Sequence, residues 1–283
     1  MLSLLFHIFH QLRRRWIYGL ISTVVALGLI VGTADRAPAQ SNLIDLIFRG
    51  IQVIQLSSLS DGDEVALGAQ INEQLVSQEV KLYTNSSITN YIDGIGQGLV
   101  TSSDRSDIPY VFQVVEDDQV NAFATMGGYV YITTGLIRTA DNEAQLASVV
   151  GHEIGHIAAR HAVKQLREGA IAAGLLTAAG LDRNAAVNLG VELAIRRPNS
   201  RQDELEADSK GLANITRAGY APGAMIAFLE KLLNQSSIPS ILSTHPATST
   251  RIEELNTMID PATANVGSGL DAAAYQDQIS VLL

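Results

Sequence analysis

The sequence predicts an α+β fold, mostly helical with one small antiparallel sheet. Three observations lead there. Apolar residues recur at helical spacing over residues 61–100, the pattern turns strand-like between Tyr110 and Thr133, and helical patterning resumes after Asp141. The N-terminus stands apart from this domain. Arg13, Arg14 and Arg15 precede an apolar run from Trp16 to Thr33, and Ala37-Pro38-Ala39 follows before Gln40. Positive charge, an apolar run and a small-x-small site form the pattern of a secretory signal peptide over residues 1–39. The run is also just long enough for an uncleaved signal anchor. Either way residues 40–283 are expected across a membrane, in a periplasmic or other extracytoplasmic space.

Residues 40–60 form a lead-in that reads as one amphipathic helix (Leu43, Ile44, Ile47, Ile51, Ile54). Asp61 or Asp63 can cap the next helix, whose apolar positions include Val65, Leu67, Ile71 and Leu75. Ser86 and Ser87 can start another through Ile88, Ile92, Ile95 and Leu99. Tyr110 to Val115 is rich in β-branched and aromatic residues and reads as a strand. Ala122–Met126 and Tyr129–Thr133 read as two more, joined at Gly127-Gly128. No further strand is expected. Gly169 to Leu181 is apolar but too short to span a bilayer, so it is expected to pack on the core or cover a cleft together with residues 182–197. Residues 61–260 form the expected domain, and 261–283 read as a loosely attached tail.

Composition narrows the chemistry. The chain carries 19 Lys and Arg against 29 Asp and Glu, a formal charge of −10, which argues against nucleic acid as a partner. Cleavage before Gln40 leaves 15 basic and 28 acidic residues. Cysteine is absent, which excludes disulfides, a thiol nucleophile and Cys-ligated metal. Any metal site must use His and carboxylates.

His152-Glu153-Ile154-Gly155-His156 supplies them. On a helix His152 and His156 are one turn apart on one face, where two imidazoles can hold one Zn²⁺, with Glu153 beside them to accept a proton from water. The surrounding helix is apolar (Val149, Val150, Ile154, Ile157), and two His and a Glu in such a stretch are costly unless something binds them. A catalytic zinc needs a third protein ligand. His161, five residues beyond His156, points away from the ligand face. Ala159 and Ala162 stand where the astacin-like extended motif needs Gly and His, which excludes that class. The run Ser200 to Asp208 is the better source, because Glu204 and Asp208 share a helix face: Glu204 can ligate, and Asp208 can accept the second ring N–H of a ligand His. Taken alone, such a run is ordinarily a charged surface helix.

Taken with Thr244-His245-Pro246, Arg251 and the segment Asn121 to Leu136, these motifs resemble the gluzincin metallopeptidases of the HtpX, BepA and CAAX prenyl protease group. The resemblance covers roughly residues 61–260. It implies a zincin-like fold and a zinc-dependent endopeptidase acting on misfolded or misassembled envelope proteins. It further implies one Zn²⁺ ligated by His152, His156 and Glu204, with Glu153 as general base and Asp208 orienting a ligand His. Extended polypeptide is then expected to add as a strand along Asn121, Ala122, Met126, Gly127 and Gly128. His245 is implied as either a reversible plug on the metal or a donor to the tetrahedral intermediate. In the first case the chain could serve as a chaperone-like binding factor instead. Arg251 pairs with a carboxylate near the site or is a surface charge. HtpX and the prenyl proteases carry several spanning helices and BepA carries C-terminal repeats, so a stand-alone exported peptidase domain is the expected form.

Overall fold

The computed structural model describes residues 53–283 except 177–179, 197, 236–237 and 247–248. The export segment and residues 40–52 of the lead-in lie outside the described residues. Among the described residues no helix is long and apolar enough to cross a membrane.

Where it is described, the lead-in is not helical. Val53–Ile54 forms a short strand, β1, followed by a 3₁₀ turn at Leu56–Ser58. β1 pairs antiparallel with Leu181–Asp182 (β5), a strand the patterning did not predict. Two-residue strands carry no readable period; each forms because the other offers a partner. The first long helix, α1 (Asp61–Gln78), is capped by Ser60, whose Oγ accepts from the Asp63 N–H, and α2 (Ser86–Val100) is capped by Asn85. The expected apolar residues of both helices face inward.

The three central strands are β2 (Val111–Val115), β3 (Ala122–Thr125) and β4 (Tyr129–Thr133), in the order β2-β4-β3. β3 and β4 make the expected antiparallel hairpin, but β2 pairs parallel with β4, so the sheet is mixed. Strand patterning says which face is buried, not which neighbour is taken, and here β4 holds the centre and leaves β3 at an edge. The hairpin turn depends on Gly128, with φ +95°: a Cβ there would lie 1.9 Å from the Pro109 carbonyl oxygen.

Helices α3 (Thr134–Thr139), α4 (Glu143–Ala158), α5 (His161–Ala172), α6 (Arg183–Arg196), α7 (Arg201–Arg217), α8 (Gly223–Leu233), α9 (Ile241–Thr244), α10 (Ser249–Met258) and α11 (Ala272–Gln278) complete the chain. α4 is buried on all sides from Ala144 to Ile157. α7 lies directly against it because both helices are small at the crossing. A Cβ on Gly155 would stand 2.6 Å from the Ala207 carbonyl oxygen, and one on Gly211 would stand 2.9 Å from the His152 nitrogen. This close approach sets the distance between the two helices that carry the site.

A buried ionic knot holds the hairpin turn near the C-terminus of α4. Arg105 donates from Nη1 to Glu64 Oε1 at 3.0 Å and from Nη2 to Oε2 at 2.9 Å, and also reaches the Ile157 carbonyl at 3.2 Å. The Gly127 N–H donates to Glu64 Oε1 at 3.3 Å.

The C-terminal segment is docked rather than loose. Tyr275 and Ile279 are buried, the Tyr275 hydroxyl donates to the Ile137 carbonyl at 2.6 Å, and the Gly269 carbonyl accepts from the Ala144 N–H at 2.9 Å. Its sparse apolar residues concealed this, because two well-placed side chains suffice to anchor it.

Candidate metal centre

α4 presents His152 and His156 on one face, and α7 presents Glu204 against them. His245, at the end of α9, completes a buried group whose ligand atoms all lie within 4.8 Å of one another. The His152 and His156 Nε2 atoms are 3.0 Å apart. His245 Nδ1 stands 3.4 Å from His152 Nε2 and 3.1 Å from Glu204 Oε1. The Glu204 carboxylate lies 3.3 Å from His156 Nε2 and 3.5 Å from His152 Nε2.

These spacings fit a metal. Nitrogen and oxygen donors about 2.0 Å from a tetrahedral Zn²⁺ stand about 3.3 Å from one another. Imidazole nitrogens turned on one point at such spacing need a cation or a shared proton between them. The donor set, three imidazoles and a carboxylate without sulfur, also suits zinc.

Partners behind the four-donor group orient its members. His152 Nδ1 lies 2.9 Å from Asp208 Oδ1, which leaves Nε2 as the free acceptor. Arg251 donates to both Asp208 oxygens and to Glu204 Oε2, each at 2.6 Å. Arg251 is therefore a buried member of the site and not a surface charge. His161 is outside the four-donor group, but not for the reason helical spacing gave: α4 ends at Ala158 and His161 begins α5, so its Nδ1 lies 2.8 Å from His156 Nδ1, behind that ring. Its role escaped the sequence because Arg160 adopts a left-handed conformation, φ 57°, and so redirects the chain between the two histidines. Asn199 was also missed: its Nδ2 lies 3.1 Å from His245 Nδ1.

Charge follows from these contacts. Burial pushes His156 down to about 3, the neutral form a metal requires. Burial opposes protonation of His152 as well, but its bonds to Asp208 and Glu204 outweigh this and raise it to about 9. Burial would raise Glu204, yet the three surrounding imidazoles hold it ionised, well below the usual carboxylate range. Asp208 is likewise held low against burial by His152 and Arg251.

Glu153 is different. It is fully buried, and among the described residues neither carboxylate oxygen has a hydrogen-bond partner; His245 Nε2 is 3.6 Å from Oε1. Among the described residues Asn121 Oδ1, Gln113 Oε1 and Thr125 Oγ1 are also buried without a partner. Phe123, Ala124 and Met126 line a cleft of about 490 Å³ with His156, His245 and Leu193. Leu193 and Ala194 of α6 line the same cleft. Gly127 and Gly128 are buried, the first bonded to Glu64 and the second through its carbonyl to the Val111 N–H at 3.0 Å. They shape the turn below the cleft.

A family model for peptidase family M48 matches residues 86–259, the span that contains every residue of this centre. The chain belongs to that family. Among M48 relatives, the beta-barrel assembly-enhancing protease of Escherichia coli (strain K12) is 33% identical over 263 residues, covering 87% of this chain and 52% of the relative. The chain thus spans about half the length of that relative. The mitochondrial metalloendopeptidase OMA1 of Saccharomyces cerevisiae is 33% identical over 175 residues, covering 58% of this chain and 51% of the relative. The metalloprotease LoiP of Escherichia coli (strain K12) is 28% identical over 221 residues, 74% of this chain and 86% of the relative.

Proposed function

We propose that residues 61–260 act as a zinc-dependent endopeptidase on unfolded or misassembled polypeptides of the cell envelope, after export directed by residues 1–39. One observation carries the reading: a buried carboxylate without hydrogen bonds, Glu153, stands beside a four-donor ligand group. A buried, unsatisfied charged group costs more than about 1–3 kcal/mol, and such a cost is retained where the group has work to do.

His152, His156 and Glu204 are the residues that hold the ion, and His245 occupies the fourth donor position. A zinc ion bound there supplies Lewis-acid chemistry, polarising an amide carbonyl and acidifying water. Glu153 Oε1 and Oε2 accept the proton of the attacking water and return it to the leaving amine nitrogen. Arg251 and Asp208 keep Glu204 and His152 in place during the reaction. Substrate lies extended along β3. Relatives named for enhancing beta-barrel assembly support strand-forming envelope polypeptides as the substrate class, and the arginine cluster before the apolar N-terminal run supports export with optional membrane anchoring.

Glu153→Gln tests the mechanism. The variant should retain one zinc per chain and lose nearly all cleavage of casein; full activity would remove Glu153 from the mechanism, and absence of zinc from the wild type would remove the metal.

A second reading is favoured by the position of His245, whose Nδ1 stands where water or substrate must bind. In it the chain is a binding or assembly factor whose metal is kept closed, and β3 captures extended chain without cutting it. His245→Ala separates the two readings. Raised cleavage identifies a plug, and lowered cleavage identifies a donor to the tetrahedral intermediate.

A further inference from the structure

Among the described residues Arg160 is the one residue other than glycine with a positive φ, 57°. An L side chain is disfavoured there, and such a conformation persists where the surroundings hold it. Arg160 stands at the joint between α4 and α5, four residues after His156. Its guanidinium reaches across that joint. Nη2 donates to the Leu59 carbonyl at 2.7 Å and pairs with Glu64 Oε2 at 2.9 Å.

Glu64 thereby meets two arginines. Arg105 holds both of its oxygens and also bonds the Ile157 carbonyl at the end of α4, while Glu64 Oε1 accepts from the Gly127 N–H at the hairpin turn. Backbone contact reinforces the union. A Cβ on Gly68 of α1 would stand 2.1 Å from the Met126 carbonyl oxygen, so the turn is seated directly on α1. One buried carboxylate thus ties the turn that ends β3 to the end of the helix that carries His152 and His156. Ala124 and Met126 from the strand side and His156 and Arg160 from the helix side line the cleft between them.

We propose that Glu64, Arg105 and Arg160 are positioning residues that set the spacing between the β3 edge and the metal group, so that a polypeptide paired along β3 brings its scissile carbonyl within reach of Glu153. They act through backbone groups, the Ile157 carbonyl and the Gly127 N–H. A displacement of about 1 Å between strand and helix leaves the strand pairing intact and costs up to about 100-fold in the chemical step. The proposal rests on the reading of β3 as the substrate edge and adds what holds that edge in register with the site.

Arg160→Gly in the full-length protein tests it. Glycine suits φ 57° and offsets the bonds lost with the guanidinium, so the thermal midpoint should stay within about 3 °C of the wild type. Zinc affinity should stay within about twofold, because every donor and the partners behind them are retained. In the metal-free protein, hydrogen exchange across residues 123–127 should speed by about fivefold while that across 146–156 is unchanged. With unfolded β-casein as the probe, kcat per bound zinc should fall by about tenfold or more at a KM held within about twofold, and Arg160→Lys should recover part of kcat. Unchanged exchange at 123–127 overturns the proposal. So does an unchanged kcat, a loss of kcat that tracks lost zinc or a lowered midpoint, or a rise in KM at constant kcat. A wild-type protein that holds zinc and cuts no casein removes the endopeptidase reading, and the exchange measurement alone then decides whether the tie exists.

Discussion

Arg251 and Asp208 form a two-pronged pair inside the protein: Nε donates to Oδ2 and Nη2 to Oδ1, both at 2.6 Å. The same guanidinium reaches Glu204, so one arginine fixes the Glu204 carboxylate and the Asp208 carboxylate that orients His152. Removing it leaves two buried carboxylates with imidazole partners only. Arg251→Met should therefore destabilise the protein by about 3–5 kcal/mol, the range for breaking a buried ion pair on one side. Urea unfolding of the metal-free protein measures it. Arg251→Lys should recover only a small part, since an ammonium cannot bond both carboxylates in this geometry.

The ligands and the groups behind them should separate in a zinc titration. His156→Ala and Glu204→Gln remove donors and should abolish stoichiometric zinc. Asp208→Asn keeps every donor and should weaken zinc by about 10- to 100-fold, as loss of an orienting partner typically does. Unchanged metal content in Glu204→Gln would place the third ligand elsewhere.

His161→Ala makes a sharper test of the same distinction. His161 touches no ligand except His156, through the ring nitrogen that faces away from the group. The substitution should weaken zinc by about tenfold, within the range for such partners, while leaving one site per chain. Loss of the site altogether would make His161 a ligand.

Much of this centre could be read in the sequence, because it depends on helical spacing alone. His152 and His156 share a face by the period of α4, and Glu204 and Asp208 do so by the period of α7. Their meeting could be expected only by pairing the two motifs, since spacing does not give it: it depends on Gly155 and Gly211 letting the two helices touch, and small residues do not announce their partners. Arg251 was undecidable for the same reason, since α10 must pack on α7 before its side chain has a carboxylate to find. The parallel pairing of β2 with β4 and the β1–β5 pair are choices of neighbour, to which strand periodicity is blind. Asn199 and His161 act through contacts made by a loop and a left-handed residue, where no period exists.

The crossing of α4 and α7 can be tested directly. Gly155→Ala puts a methyl group 2.6 Å from the Ala207 carbonyl oxygen, backbone that cannot swing aside as a side chain would. The helices must separate, at a cost of about 1–3 kcal/mol for overpacking. The separation also draws Glu204 from the His pair, so zinc affinity should fall together with stability. Gly98→Ala is the control, because a Cβ there meets nothing within 4 Å. It should keep zinc and gain slightly in helix stability.

Truncation after Asp260 tests whether the C-terminal segment belongs to the folding unit. It removes the buried Tyr275 and Ile279, each worth about 1.5–3 kcal/mol by burial, and uncovers the start of α4, where the Gly269 carbonyl bonds the Ala144 N–H. The loss should be several kcal/mol, enough to lower the thermal midpoint by more than about 10 °C at this domain size. Tyr275→Phe isolates one contact. It leaves the ring in place and strands the Ile137 carbonyl, for an expected cost of about 1 kcal/mol. A truncated chain that melts with the full-length protein would mean that the α11 contacts contribute nothing to stability, and that the tail is loosely attached after all.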